Sequence, residues 1–559
     1  MHAGGSAIRT DLLYFLCSAA QDTAGRQQTE EKETRTKRMM ENSSHTEIIK
    51  DEENISEDGL RAALALVNDT LDAADRFEHA CRIINFDMET ICPEKAMEKQ
   101  GELAAFMENE GYKLKKAPEF IRAAGLLYEH RGSLPELPRI LAESLRREYA
   151  KTMNLTAEKN LAFGKIYSKA FADWISAKKN ADFSAFAPSL AAVCKAQEET
   201  VRLRTEKTAN VYDSLLSDYE RGMTSRDLDA CFAECKARLI PLLREISGAG
   251  KKIRTDFLSR PVPDDAQRKM AAYLLQVMDF DFTRGAFTTA EHPFTDGLAI
   301  DDARVTTHYY SSNFLSSIFS IIHEGGHALF EQLQPREDIT GHISGEKTMG
   351  MHESVSRFYE NRIGRSEAFI RLIYPKAKEL FPEVLSDVTE RELYEAVNAV
   401  TPSLVRTEAD EFTYTFHIII RYEIEKLLMS GQADTASLPA LWNEKYREYL
   451  GITPSNDREG VLQDVHWTSG FGYFPTYALG NMYNAMYYRR MQEDLDIDAL
   501  IAAGDFRTLN RWMAEHVFSI ADRMDAKTWI RTITGRDFTA DDFLSYLEDK
   551  YRKLYNIID

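Results

Sequence analysis

From about residue 58 onward, apolar positions recur at intervals of three and four, the period of helices that bury one face. "LDACFAECKARLIPLLREISGAGKKI" (228–253) and "FTYTFHIIIRYEIEKLLMSG" (412–431) are clear cases, the second closed by a glycine. Strict alternation is scarce. Its best example is "ARVTTHYY" (303–310), rich in β-branched and aromatic residues. No Pro/Gly/Ser-rich linker, internal repeat or low-complexity tract interrupts the pattern after residue 58. The pattern predicts one large, mainly α-helical body over 58–559, with a very small β-sheet just upstream of the helix read at 320–332.

The chain reads differently ahead of that body. Residues 24–57 are almost wholly polar, a composition that cannot bury enough surface to fold, so 1–57 is expected to be a disordered extension. "DLLYFLCSAA" (11–20) is short, weakly flanked by basic charge and followed by no clear cleavage site, so it is a poor export signal. Met39 and Met40 lie close to where helical periodicity begins, and 1–38 reads as sequence upstream of the true start.

Of the 559 residues, 44% are hydrophobic and 28% charged, the balance of a soluble globular protein. A formal charge of -20 repels phosphate backbones and anionic lipid, which argues against nucleic acid and membrane surfaces as partners. No apolar run approaches the ~18–20 residues of a membrane span. Six cysteines in so long a chain make no disulfide framework. Cys231 and Cys235 read as small buried hydrophobes, and the expected setting is a reducing, cytoplasmic one.

Candidate chemistry concentrates in "SIIHEGGHALFEQ" (320–332). The four-residue spacing puts His323 and His327 on one helix face, where both can reach one zinc at ~2.0–2.1 Å. Glu324 projects beside them, where a carboxylate can take a proton from water held at a metal. A five-residue pattern also arises by chance in long chains, and a catalytic site needs a third ligand. Glu331 lies two turns beyond His323, roughly 12 Å of rise, too far for the same ion. Glu353, in "GMHESVSRFYEN" (350–361), is the better third ligand if its helix packs against the first. His352 then points away from the metal, since neighbours on a helix diverge by about 100°, and is expected to pack or to support a ligand rather than to be one. Gly325 and Gly326 each cost a helix about 0.8–1.0 kcal/mol relative to alanine. The expected return is room beside the catalytic water, the neighbouring strand or a bound substrate.

Five segments resemble the signature motifs of the carboxypeptidase Taq family: "DARVT" (302–306), "HEGGH" (323–327), "HES" (352–354), "VRTEAD" (405–410) and "GVLQDVHW" (460–467). Similarity extends through "FDMETICP" (86–93), "YDSLLSDYERGMT" (212–224) and "FGYFPTYALGN" (471–481), covering nearly everything from residue 60 onward. The resemblance implies a helical fold with a deep active-site groove, usually a homodimer. It implies removal of single amino acids from free peptide C-termini, with zinc or cobalt at the site. Carried over by position, His323, His327 and Glu353 are the metal ligands and Glu324 the general base. The chain departs from the family pattern at Val355, Val405 and His308, none of them a ligand position.

A terminal carboxylate calls for the two-pronged donor geometry of arginine. Arg304 and Arg406 are the candidates inside motifs, with Arg357 and Arg421 behind them, and His417 is a further substrate-binding candidate. His466, Tyr473 and Tyr477 resemble an arrangement that steadies a developing oxyanion. Asp410 or Asp464 is expected to orient the ligand imidazoles. Two alternatives stand beside this reading: a helical zinc oligopeptidase that cuts internally, and an inactive relative that only binds peptides.

Overall fold

The computed structural model describes residues 56–557, so the expectations for the polar extension and for the start at Met39 or Met40 fall outside the described residues. Helix dominates, as the three-and-four spacing predicts, and one three-stranded sheet is the sole sheet among the described residues.

The first four long helices form an arm: α1 (Glu57–Thr90), α2 (Met97–Lys115), α3 (Pro118–Glu129) and α4 (Glu136–Thr152). The N-cap Ser56 starts α1 by accepting a hydrogen bond from the Gly59 amide. The arm buries its own apolar cluster around Val67, Leu127, Ile140 and Leu141. Ile343, from the stretch after the histidine helix, inserts into that cluster and ties arm to body.

The remaining helices enclose one continuous apolar core. Within it, α5 (Ser225–Gly248) buries Cys231 and Cys235 as small hydrophobes, as their spacing predicts. Next come α6 (Asp264–Val277) and the sheet, with β1 Gly285–Thr289, β2 Thr295–Ala299 and β3 Asp302–Thr307 in the order β1-β3-β2. Strand β3 runs parallel to β1 and antiparallel to β2. It is the element expected from "ARVTTHYY", and its Val305, Thr306 and Thr307 are all buried.

Helix α7 (Phe314–Leu333) follows, its first turn capped by the Asn313 side chain accepting from the Ser316 amide. Most of its residues are buried, the polar His323, Glu324 and His327 included, because other elements surround it. Helix α8 (Met349–Arg357) crosses it and continues without a break into a π-helical turn, Phe358–Ile363. Two further helices complete the surroundings of α7 and α8: α9 (Tyr414–Met429) and α10 (Pro475–Asp494).

Candidate metal centre and active-site cleft

His323 and His327 lie one turn apart on α7, both buried, their ring centroids 4.9 Å apart. Glu353 comes from the second turn of α8. Its Oε2 stands 3.7 Å from His323 Nε2 and 3.6 Å from His327 Nε2. One ligand atom from each of the three residues can be chosen so that all lie within 4.8 Å of one another. Among the described residues, no other cluster of three such side chains has this geometry.

The spacing between α7 and α8 depends on Gly326. A Cβ there would meet the Ser356 Cα at 2.9 Å and the Val355 carbonyl oxygen at 3.2 Å. Gly325 faces the other way, toward side-chain atoms of Leu275 and Met278 at 3.0–3.2 Å. This corrects the expectation from sequence: neither glycine makes room for the sheet or for a peptide. From the far side, α10 presses on Glu353, since a Cβ at Gly480 would lie 2.8 Å from the Glu353 Cγ. Glu353 is thus clamped between two helices.

Electrostatics suit a cation. Burial pushes His327 down to about 3, keeping its imidazole neutral, the form that coordinates. Its Nε2 is buried and has no hydrogen-bond partner among the described residues. Burial opposes the charge on Glu353 too, but Arg357 and the two histidines hold it well below the usual carboxylate range. Two imidazoles and one carboxylate are the donor set of many catalytic divalent-metal sites, so the residues present fit the group.

Around this triad the structure places groups that no sequence motif singled out. Glu360 Oε2 lies 2.8 Å from His323 Nδ1, and Arg357 bridges the two acids, with Nε donating to Glu353 at 2.7 Å and Nη1 to Glu360 at 3.1 Å. Burial would raise Glu360, but Arg357 and His323 hold it down to about 2. Glu360 follows Glu353 by seven residues, two helical turns, and that spacing was the available signal. Asp410 and Asp464, expected to orient the imidazoles, do not: Asp410 accepts from Thr401 and Thr413, and Asp464 pairs with two arginines. A further unforeseen contact comes from β2, where Thr295 Oγ1 donates to Glu324 Oε2 at 2.9 Å. Burial pushes Glu324 up to about 7, against the pull of His323 and Thr295.

A cleft of about 810 Å³ opens beside His323 and Glu360 and runs past Tyr414 and Arg406 to Asp464 and His466. Arg406 donates to Asp464 Oδ1 from Nε at 3.1 Å and from Nη2 at 3.0 Å, and Arg421 holds the other carboxylate oxygen. The charge of Arg406 is therefore met by Asp464, 58 residues away in sequence, and not by the acids that follow it directly. The Arg406 guanidinium lies 4.9 Å from the Tyr477 ring centroid. Tyr473 and Tyr477 meet edge to face at 5.2 Å, and His466 stacks on Tyr473 at 5.6 Å. Arg406, His466, Tyr473 and Tyr477 thus form one group. Neither Arg304 nor His417 lines the cleft. Arg304 grips Asp302 with two 2.9 Å bonds, half-buried over Phe86. His417 is fully buried, its Nδ1 2.9 Å from the Tyr446 hydroxyl.

Comparison with known proteins places this arrangement. The family model described as "Carboxypeptidase Taq (M32) metallopeptidase" matches residues 67–551. Carboxypeptidase 1 of Bacillus subtilis (strain 168) is 36% identical over 490 residues, spanning 87% of this chain and 97% of its own. Thermostable carboxypeptidase 1 of Thermus thermophilus is 37% identical over 420 residues, 73% of this chain and 82% of that protein. The crystal structure of an M32 carboxypeptidase from Deinococcus radiodurans R1 superposes with a TM-score of 0.85 at 29% identity, covering 89% of this chain and 100% of that one.

Proposed function

The chain belongs to the carboxypeptidase Taq (M32) metallopeptidases and is a metal-dependent carboxypeptidase acting on peptides; from that membership we propose how its own residues carry the reaction. His323, His327 and Glu353 hold the cation. The observation that carries this is the convergence of their three ligand atoms within 4.8 Å in a buried pocket, beside a cleft a peptide can enter. When bound, a divalent cation polarises the scissile carbonyl and makes a water nucleophilic near neutral pH.

Glu324 is the general base. Thr295 holds its side chain through Oε2, and the carboxylate takes the proton of the attacking water and returns it to the leaving amine. Burial raises this carboxylate toward neutrality, which matches a base that must both accept and release a proton. Arg406 receives the substrate's terminal carboxylate at the far side of the cleft, with Asp464 and Arg421 holding the guanidinium in place. His466, Tyr473 and Tyr477 steady the developing oxyanion as a unit.

The donor set favours Zn2+, with Co2+ an acceptable replacement. A homodimer and a cytoplasmic setting complete the proposal, both drawn from the family resemblance and the cysteine usage. The test compares one peptide with a free and with an amidated C-terminus. Stepwise loss of single residues from the free form only is the expected outcome. Rapid internal cleavage of the amidated peptide overturns the exopeptidase assignment.

A further inference from the structure

The two imidazoles of the centre are backed differently. His323 Nδ1 faces a carboxylate, Glu360, directly. His327 Nδ1 faces another histidine: His352 Nδ1 lies 2.5 Å away, and the far nitrogen of that ring, Nε2, lies 2.9 Å from Glu331 Oε1. His352 and Glu331 are half-buried. Phe330 flanks the His352 ring at 5.0 Å, and Gln334 Nε2 donates to the second oxygen of Glu331. Lys347 lies close enough to favour the charged carboxylate of Glu331.

We propose that Glu331 and His352 act as positioning residues that set the tautomer of His327. An ionised carboxylate has only acceptors, so His352 Nε2 must carry the proton in the contact with Glu331. In a neutral imidazole the other nitrogen is then bare, so His352 Nδ1 can only accept. The proton between the two rings therefore belongs to His327 Nδ1. That leaves His327 Nε2 bare and aimed at the space it shares with Glu353, 3.6 Å away. The reverse arrangement would put a hydrogen on Nε2 and block the lone pair a cation needs. His327 thus gains through a two-step chain what His323 gains from a single carboxylate. The inference rests on the assignment of His327 as a metal ligand.

The test uses the full chain, freed of metal by chelation and labelled with 15N at histidine, with His327 assigned by its loss in H327A. The expected spectrum has His327 protonated at Nδ1 and bare at Nε2. His352→Phe removes the acceptor and is expected to mix or invert that tautomer. The same substitution weakens Zn2+ binding by about 10–100-fold in competition with a chromogenic chelator. His352→Asn, whose amide oxygen can take the place of Nδ1, restores most of the loss. A wild-type spectrum with His327 protonated at Nε2, or undiminished Zn2+ affinity in H352F, overturns the proposal. Failure of the metal assignment itself looks different: H327A then binds Zn2+ as tightly as the wild type.

Discussion

Gly326 and Ser356 meet backbone to backbone, so that the distance between α7 and α8 is set at a point where no side chain fits: a Cβ at 326 would stand 2.9 Å from the Ser356 Cα. His323 and His327 ride on one of these helices and Glu353 on the other, so this contact fixes the size of the triad. Gly326→Ala must push the helices apart, an overpacking cost of about 1–3 kcal/mol against about 1 kcal/mol gained in helix propensity. Zn2+ affinity and peptidase activity are expected to fall at least about tenfold, since a site misplaced by a fraction of an ångström loses its geometry. Gly325→Ala meets only the movable ends of Leu275 and Met278 and should leave both nearly unchanged. Parallel Zn2+ titrations of the two variants check this, and equal behaviour removes the close-approach account.

Glu360→Ala deletes the carboxylate behind His323 and also leaves the Arg357 Nη1 without its acceptor. Zn2+ affinity is expected to drop by about 10–100-fold, the usual effect of losing a group that orients a ligand histidine. Glu360→Gln keeps an acceptor for the imidazole N–H but not the charge, and should fall between the two. Equilibrium competition with a chelator measures all three proteins. Unchanged affinity in Glu360→Ala would assign Glu360 to packing alone.

The helices of the site and its histidine pair were legible in the sequence because period and spacing are local properties. "ARVTTHYY" became β3, and the helical periodicities at 228–253 and 412–431 became α5 and α9. The roles of Asp410 and Asp464 were not legible, because an acid inside a motif carries no record of which way it faces across an interface. Asp464 reaches Arg406 and Arg421, 58 and 43 positions away in sequence. Thr295 is hidden for the same reason, since it acts from a sheet edge against a helix 29 residues later. Gly325 and Gly326 look alike in one dimension, and only the packing of α6 and α8 separates their functions.

Glu425, on α9, links the loop bearing His466 to the core. It accepts from Trp467 Nε1 at 3.0 Å, from the Gly472 amide at 3.0 Å and from the Tyr212 hydroxyl at 2.9 Å. Burial outweighs these bonds and pushes its carboxyl up to about 7. A folded-state value above the unfolded one means that the native protein binds the proton more tightly. Stability from this group is then greatest below the ordinary carboxylate range and declines as pH rises toward 7, by an order of magnitude of about 3 kcal/mol. Glu425→Gln carries no such dependence. Its melting temperature relative to wild type should therefore rise between pH 5 and pH 8, even if it is lower at both. A difference that stays constant across that range contradicts the assignment.

Glu324→Gln tests the general base. The amide oxygen can still accept from Thr295, so the local structure should persist. Since Glu324 is not one of the proposed ligands, metal content is expected to stay at the wild-type level. The turnover number is expected to fall by about 10²–10⁴-fold, with little change in KM, because only proton transfer is lost. Retained turnover would exclude Glu324 from that step.

Arg406→Lys tests where the substrate's terminal carboxylate binds. Lysine keeps a positive charge for Asp464 but loses the fork that grips two oxygens at once. A charge-assisted hydrogen bond contributes about 1.5–3 kcal/mol, so KM for peptides with a free C-terminus should rise about tenfold or more. Metal affinity should not move, because Arg406 touches none of the three proposed ligands. A purely structural Arg406 gives another pattern: a lower melting temperature and a reduced turnover number at unchanged KM. Steady-state kinetics with peptides that differ only in their last residue separate the two, since a carboxylate anchor raises KM for all of them alike. If KM stays at the wild-type value, the anchor lies elsewhere in the cleft. Arg357 then becomes the next candidate: it also lines the cleft, and it stacks at 4.3 Å on the Tyr414 ring.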